Sequence, residues 1–242
     1  MPNALLLFDI DQTLIRTPGS GMHALHLAGR DIFGDSFSTE SVAFAGRIDP
    51  LILRDLVLAN GGSPSPEAIN ELRHGYSRHL TLTLAASATN AQPPSMHAGV
   101  PELLARLVAS HPEFGRAVLT GNYESTGMAK LRACGVPIQH FEFFVWGDES
   151  PSTPPTRNDL PRVAMQRYES GRGRAIAPRH TVIIGDTPHD VACAHACNCR
   201  CLAVATGSST IAQLEHAGAD AVLADLSDTT GTIATLRQLV FD

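Results

Sequence analysis

Asp9 and Asp11 stand two residues apart in Phe8-Asp9-Ile10-Asp11-Gln12-Thr13, directly after the apolar run Ala4 to Phe8. Carboxylates held so close repel each other and are costly unless a cation or a shared proton relieves them. Such a pair can divide covalent catalysis, one group attacking phosphorus and the other moving protons. The same residues can also cap a turn and a following helix. Two further groups follow apolar runs: Thr120-Gly121-Asn122 after 116–119, and Gly185-Asp186-Thr187-Pro188-His189-Asp190 after 181–184. A threonine hydroxyl and free backbone amides at a strand end can bind phosphate oxygens, and glycine permits close approach. Ordinary turns use the same residues. Asp186 and Asp190 add oxygen donors to those of Asp9 and Asp11, a set that suits Mg2+, which takes one or two carboxylates together with phosphate oxygen. Asp186 can instead be a helix N-cap ahead of Pro188.

These groups need a scaffold that brings chain-distant segments to one edge. Short apolar runs at 4–8, 116–119, 141–145, 181–184 and 200–204 read as buried strands, and they alternate with helical periodicity at 101–109, 126–133, 161–167 and 188–196. Alternation of this kind predicts an α/β fold, a doubly wound (Rossmann-like) parallel sheet with helices on both faces, in which ligands bind beyond the carboxyl ends of the strands. Between Ile15 and about Gly99 there is no convincing strand. Helical spacing at 22–33, 51–60 and 67–86 predicts an inserted α-helical cap domain instead. The domains are accordingly a core of 1–16 and 95–242 and a cap of 17–94. The connectors Thr17-Pro18-Gly19-Ser20-Gly21 and Ala91-Gln92-Pro93-Pro94-Ser95 have loop or hinge composition. The aromatic run Phe141, Phe143, Phe144 and Trp146 reads as part of a buried strand.

In chain order, Asp9-x-Asp11-x-Thr13, then Thr120, then Gly185-Asp186-x-x-x-Asp190 resembles the haloacid dehalogenase (HAD) superfamily of hydrolases, and the likeness covers nearly the whole chain. The helical insertion after the first motif is similar to the cap of the phosphoglycolate phosphatase-like and phosphoglucomutase-like branches. The resemblance implies that Asp9 is the nucleophile, becoming an aspartyl-phosphate, that Asp11 protonates the leaving group and then activates water, and that Thr120 holds a phosphoryl oxygen beside Gly121 and Asn122. It implies magnesium on the Asp9 carboxylate, the Asp11 carbonyl and Asp186, with Asp190 bound directly or through water. The family also expects a basic residue, usually lysine, ahead of the last motif. No lysine stands there; Arg157 is the candidate for this catalytic and phosphate-binding role, with Arg162 as the fallback.

Asp11 favours a phosphatase, because the dehalogenases of this superfamily lack an acid at that position. A phosphonatase would need a cap lysine, and residues 1–129 contain none. A β-phosphoglucomutase-like phosphomutase, or a phospho-ligand-binding protein without turnover, remains an alternative. In Gly46-Arg47-Ile48-Asp49, Arg47 either meets a second anionic group of the substrate, with Asp49 fixing it, or belongs to a local ion pair. His23, His26, His97 and His189 have no ligand-like spacing.

The 242 residues suffice for one large domain or a core and a small companion. With 43% hydrophobic and 17% charged residues the composition is globular. The net charge of −6, without a Lys/Arg cluster, argues against a nucleic-acid partner. The apolar run 5–8 is too short to span a bilayer, and no leader pattern opens the sequence, so no membrane partner and a cytoplasmic location are expected. The expected partner is a small phosphorylated metabolite, and the expected assembly a monomer or homodimer. Cys193, Cys197, Cys199 and Cys201 match no zinc spacing and read as small buried hydrophobes, with a metal or redox device as the alternative.

Overall fold

The run Ala4-Leu5-Leu6-Leu7-Phe8 forms a strand whose five side chains are all buried, as required of a position inside a sheet covered on both faces. The structure is a computed structural model that describes residues 3–241; Met1, Pro2 and Asp242, assigned to the core from the sequence, lie outside the described residues. The first half of the chain runs β1 (Ala4–Phe8), β2 (Ile15–Arg16), α1 (Ser20–Phe33), α2 (Asp49–Ala59), α3 (Pro66–Ser87), β3 (Ser95–Met96), α4 (Val100–Ser110) and β4 (Phe114–Leu119). The second half runs α5 (Glu124–Ala133), β5 (Phe143–Val145), α6 (Leu160–Arg172), β6 (Thr181–Gly185), α7 (Pro188–Ala196), β7 (Arg200–Val204), α8 (Ile211–His216), β8 (Ala221–Leu223) and α9 (Thr229–Phe241).

Six strands form one parallel sheet in the order β5-β4-β1-β6-β7-β8, so the fold is α/β with a doubly wound sheet. Successive side chains of a strand point to opposite faces. Leu6 and Phe8 therefore pack with Leu103 and Leu107 of α4 and Leu236 of α9. Leu5 and Leu7 face the other way, toward Tyr168 of α6 and Ala194 of α7. Full burial of each such side chain contributes about 1.5–3 kcal/mol, which fixes β1 in the centre and with it the position of Asp9.

Helices α1, α2 and α3 have an apolar core of their own, built on Leu25, Leu53, Leu56, Leu72 and Leu80 and joined by Tyr123 from the start of α5. They are inserted between the two strands of an antiparallel ribbon, β2 before them and β3 after, where Ile15 pairs with Met96. Arg73 of α3 lies 3.8 Å over the Tyr123 ring and 3.0 Å from Asp148, tying the helical segment to the sheet.

Several elements differ from expectation. Helix α1 begins at Ser20 rather than Met22, because Gly19 at φ 68 turns the chain into the helix. Helix α6 runs on to Arg172 and stops at Gly173, which is left-handed. Strand β5 starts at Phe143, so Phe141 lies outside it while still buried; Phe144 and Trp146 stack at 5.4 Å. Elements α8, β8 and α9 have no counterpart in the sequence reading. Strand β8 is three half-buried residues, and α9 opens on Thr229-Thr230-Gly231-Thr232, all poor helix formers. The Asp228 carboxylate compensates by accepting from Gly231 N at 2.9 Å.

Candidate active site

The acids sit where β1 and β6 end. Asp9 N donates to Ile184 O at 2.9 Å, carrying the pairing of these strands one residue past Phe8, and Gln12, at φ 59, then turns the chain. Neither Asp9 nor Asp11 caps a helix, since α1 begins only at Ser20. Asp186 caps none either: the N-cap of α7 is Thr187, in a capping box with Asp190. Asp186 is thereby left pointing at Asp9. Oxygens from Asp9, Asp186 and Asp190 lie within 4.8 Å of one another, all three residues buried.

Three converging acids would be prohibitive without compensation. Arg157, at the head of a single 3-10 turn before α6, supplies one positive charge: its Nη2 lies 2.6 Å from Asp190 Oδ1 and 3.2 Å from Asp9 Oδ1. Burial opposes its ionisation, but Asp9 and Asp190 outweigh that and hold the guanidinium above its ordinary range. One cation does not offset three acids. Burial, with Asp190 and Asp11 nearby and Arg157 opposing, pushes Asp9 up to about 6. Burial, with Asp9 and Asp190, pushes Asp186 up to about 8. The donor set is hard, anionic and undercompensated, which fits a divalent cation such as magnesium. Asp190 is the most committed member: its Oδ2 also accepts from Thr187 N at 3.0 Å and Thr187 Oγ1 at 2.7 Å. Asp9 and Asp186 are the freer donors.

Gly207 lies against this cluster, and a Cβ there would overlap Asp186 Oδ2. Gly207→Ala is therefore expected to weaken divalent-cation binding by about 10-fold or more, the scale of disturbed support around a metal ligand. Titration calorimetry with magnesium checks this; unchanged affinity would remove Asp186 from the ligand set.

Thr120, fully buried at the end of β4, accepts through Oγ1 from Asn122 Nδ2 at 2.8 Å. Gly121 permits a close approach, though to a protein partner: a Cβ there would overlap Arg47 O, and Asp49 N donates to Gly121 O at 2.7 Å. Asp11 Oδ2 accepts from Asn122 Nδ2 at 2.8 Å and from Lys130 Nζ at 2.7 Å. Lys130 had no place in the sequence reading. Its signal was available: it is the single lysine of the chain, two helical turns beyond Asn122.

Asp9, Asp11, Thr120, Gly121, Asn122, Arg157 and Asp186 all line one cavity of about 550 Å³, closed from the other side by the helical segment through Met22, Leu25, Phe44 and Ile52. Arg47 borders it too, but its ion pair is with Asp55 at 2.5 Å, not with Asp49. Asp49 instead accepts from Tyr123 N at 2.9 Å and Thr126 Oγ1 at 3.2 Å, and burial pushes it up to about 6. The fallback, Arg162, is exposed on α6. His189 packs against Gly46, and His97 is held below its ordinary range by burial and by Arg16.

The four clustered cysteines are buried free thiols, and burial pushes all of them up, so they stay protonated. Two support the site: Cys193 Sγ donates to Arg157 O at 3.2 Å and Cys197 Sγ to Asn158 O at 3.3 Å. Among the described residues, the only potential metal-binding group of three or more is the aspartate trio.

Residues 159–229 match the HAD-hydrolase-like family. No curated protein sequence matches the chain. Among solved structures, a hydrolase from Pseudomonas syringae superposes with a TM-score of 0.68 at 20% identity, covering 96% of this chain and 98% of that one. The CbbY protein of Rhodobacter sphaeroides, a mutant in complex with xylulose-(1,5)bisphosphate, gives 0.73 at 19% identity, with 94% and 96% covered. A predicted phosphoglycolate phosphatase from Haemophilus somnus gives 0.67 at 16% identity, with 96% and 98% covered.

Proposed function

The chain has the haloacid dehalogenase-like fold over almost its whole length, and from that premise we propose that it is a magnesium-dependent phosphatase acting on a small phosphomonoester. The observation that carries this reading is the meeting of Asp9, Asp186 and Asp190 with a single buried arginine, at a cavity that Asp9, Asp186 and Arg157 line together with Asp11 and Thr120. In this reading residues 1–16 and 95–242 are the catalytic core and 17–94 the cap.

Asp9 attacks phosphorus. As the aspartyl–phosphorus bond forms, the ester P–O bond breaks, its electron pair stays on the leaving oxygen, and Asp11 delivers the proton that makes it an alcohol. Asp11, now ionised, takes a proton from water; the water oxygen attacks phosphorus, the bond to Asp9 breaks, and inorganic phosphate is released. Arg157 and the Thr120 hydroxyl hold phosphoryl oxygens through both displacements, and Asn122 orients Thr120. Asp9 and Asp186, supported by Asp190 and joined by the Asp11 carbonyl, would hold magnesium, which supplies positive charge beside the transferring group. The helical cap excludes water and contacts the leaving group. CbbY binds a sugar bisphosphate, which supports a small phosphorylated metabolite as the substrate class. No helix among the described residues is long and apolar enough to cross a membrane.

The test is phosphate release from sugar phosphates, phosphoglycolate and nucleotides, with magnesium and with EDTA. Metal-dependent release is expected, stimulated by about 10²-fold or more. No release from any substrate would overturn the reading, and an isomeric sugar phosphate formed without free phosphate would replace it by a phosphomutase.

A further inference from the structure

Lys130 is the only lysine in 242 residues, and it is buried. An ammonium deprived of water needs acceptors for its three protons. Lys130 finds them on both sides of the cavity: Asp11 Oδ2 at 2.7 Å and Asn122 Oδ1 at 2.7 Å from the sheet side, and the hydroxyl of Tyr76 from α3 of the helical segment. Burial alone would depress the ammonium, yet Asp11, the Tyr76 hydroxyl and Asp49 hold it above its ordinary range.

The three groups from the sheet side form a closed ring. Asn122 gives its amide to Asp11 Oδ2 and to Thr120 Oγ1, while its carbonyl oxygen accepts from Lys130. Both bonds to Asp11 fall on the same oxygen, so the carboxylate cannot swing without breaking two charge-assisted contacts. Helix α5, which carries Lys130, is clamped by the helical segment at two points: Asp49 accepts from Tyr123 N at its start, and Tyr76 faces Lys130. Gly21 of α1 lies beside both partners: a Cβ there would sit 3.4 Å from the Tyr76 hydroxyl and 3.9 Å from Nζ.

We propose that Lys130 is a positioning residue for Asp11. Its ammonium fixes the Asp11 carboxylate through Oδ2, leaving Oδ1 for the leaving oxygen, and the Tyr76 hydroxyl completes the arrangement when the helical cap is seated. This rests on the phosphatase reading above. A lysine that merely neutralised buried acids would affect folding alone, whereas one that aims a proton donor matters in proportion to how badly the leaving group needs the proton.

The experiment compares phenyl phosphate with p-nitrophenyl phosphate, two substrates of nearly equal shape whose leaving groups differ in their need for protonation. The readout is kcat/KM, which reports the step that breaks the ester bond. For Lys130→Met the loss on phenyl phosphate is expected to exceed that on p-nitrophenyl phosphate by about 10-fold or more. Tyr76→Phe, which keeps the ring, is expected to show the same bias at smaller size, and it decides the matter if Lys130→Met fails to fold. Equal losses on both substrates, or none, would overturn the inference while the wild-type activity upholds the phosphatase reading. Wild-type protein that cleaves neither substrate with magnesium would overturn both.

Discussion

Asp9→Asn is expected to lower phosphate release by roughly 10⁴-fold or more, the scale seen when a nucleophile is removed from a site whose binding groups survive. The amide matches the carboxylate in shape and cannot form the bond to phosphorus. Arg157 keeps its contact with Asp190 at 2.6 Å, so the arginine side of the cavity stays in place. Substrate affinity, measured by calorimetry on the magnesium-loaded variant, is therefore expected to stay within about 10-fold of wild type. The contrast between lost turnover and retained binding separates a nucleophile from a structural acid. Turnover within a few-fold of wild type would show that phosphorus is attacked by something else.

The second large effect couples Asp186 to metal, pH and stability. In the folded, metal-free protein Asp186 is pushed up to about 8 and Asp9 up to about 6, while in the unfolded chain both titrate near their ordinary value of 3.8. Between those limits the folded state holds protons that the unfolded chain has lost. Stability consequently falls as pH rises from about 4 toward about 8, with a slope of up to about 1.4 kcal/mol per pH unit for each such proton. In the proposed reading, bound magnesium would displace those protons and remove the penalty. The rise in Tm on adding magnesium is thus expected to be larger at pH 8 than at pH 6. Asp186→Asn removes one undercompensated charge: in EDTA at pH 8 the variant is expected to be more stable than wild type by about 1–3 kcal/mol, with a shallower dependence on pH. It is also expected to lose about 10³-fold in turnover. Melting curves in EDTA and in magnesium across this range check every part. A variant less stable than wild type at pH 8 without metal would contradict the charge argument.

The sheet was legible because strands buried on both faces are written as uninterrupted apolar runs. Ala4 to Phe8 and Thr181 to Ile184 stand out for that reason. What lay near the chain end was less visible: α9 opens on threonines and a glycine, and its start is specified by one side chain, Asp228. The acidic groups could be read because strand ends in a parallel sheet have a known role. Arg157 could be placed by its type and by the helix that follows it. Lys130 illustrates the opposite case. It lies on a helix, eight residues past the motif that it touches, and its partners Asp11 and Tyr76 come from segments 119 and 54 residues earlier (130 − 11 and 130 − 76), so only the folded chain brings them together. The Arg47–Asp55 pair was equally hidden, since Asp49 is nearer to Arg47 in sequence but is committed to the start of α5.

Strand β1 sits between β4 and β6, with Ala4 beside Phe114 and Leu5 beside Thr181. During translation the segment that leads into Asp9 is made well before both its neighbours, β4 and β6. Its four-residue Leu-Leu-Leu-Phe stretch must wait, sticky and unmatched, until most of the polypeptide has emerged. Strand β1 is thus secured on both edges only once β6 has been made, and anything that shields the stretch in the meantime favours correct folding.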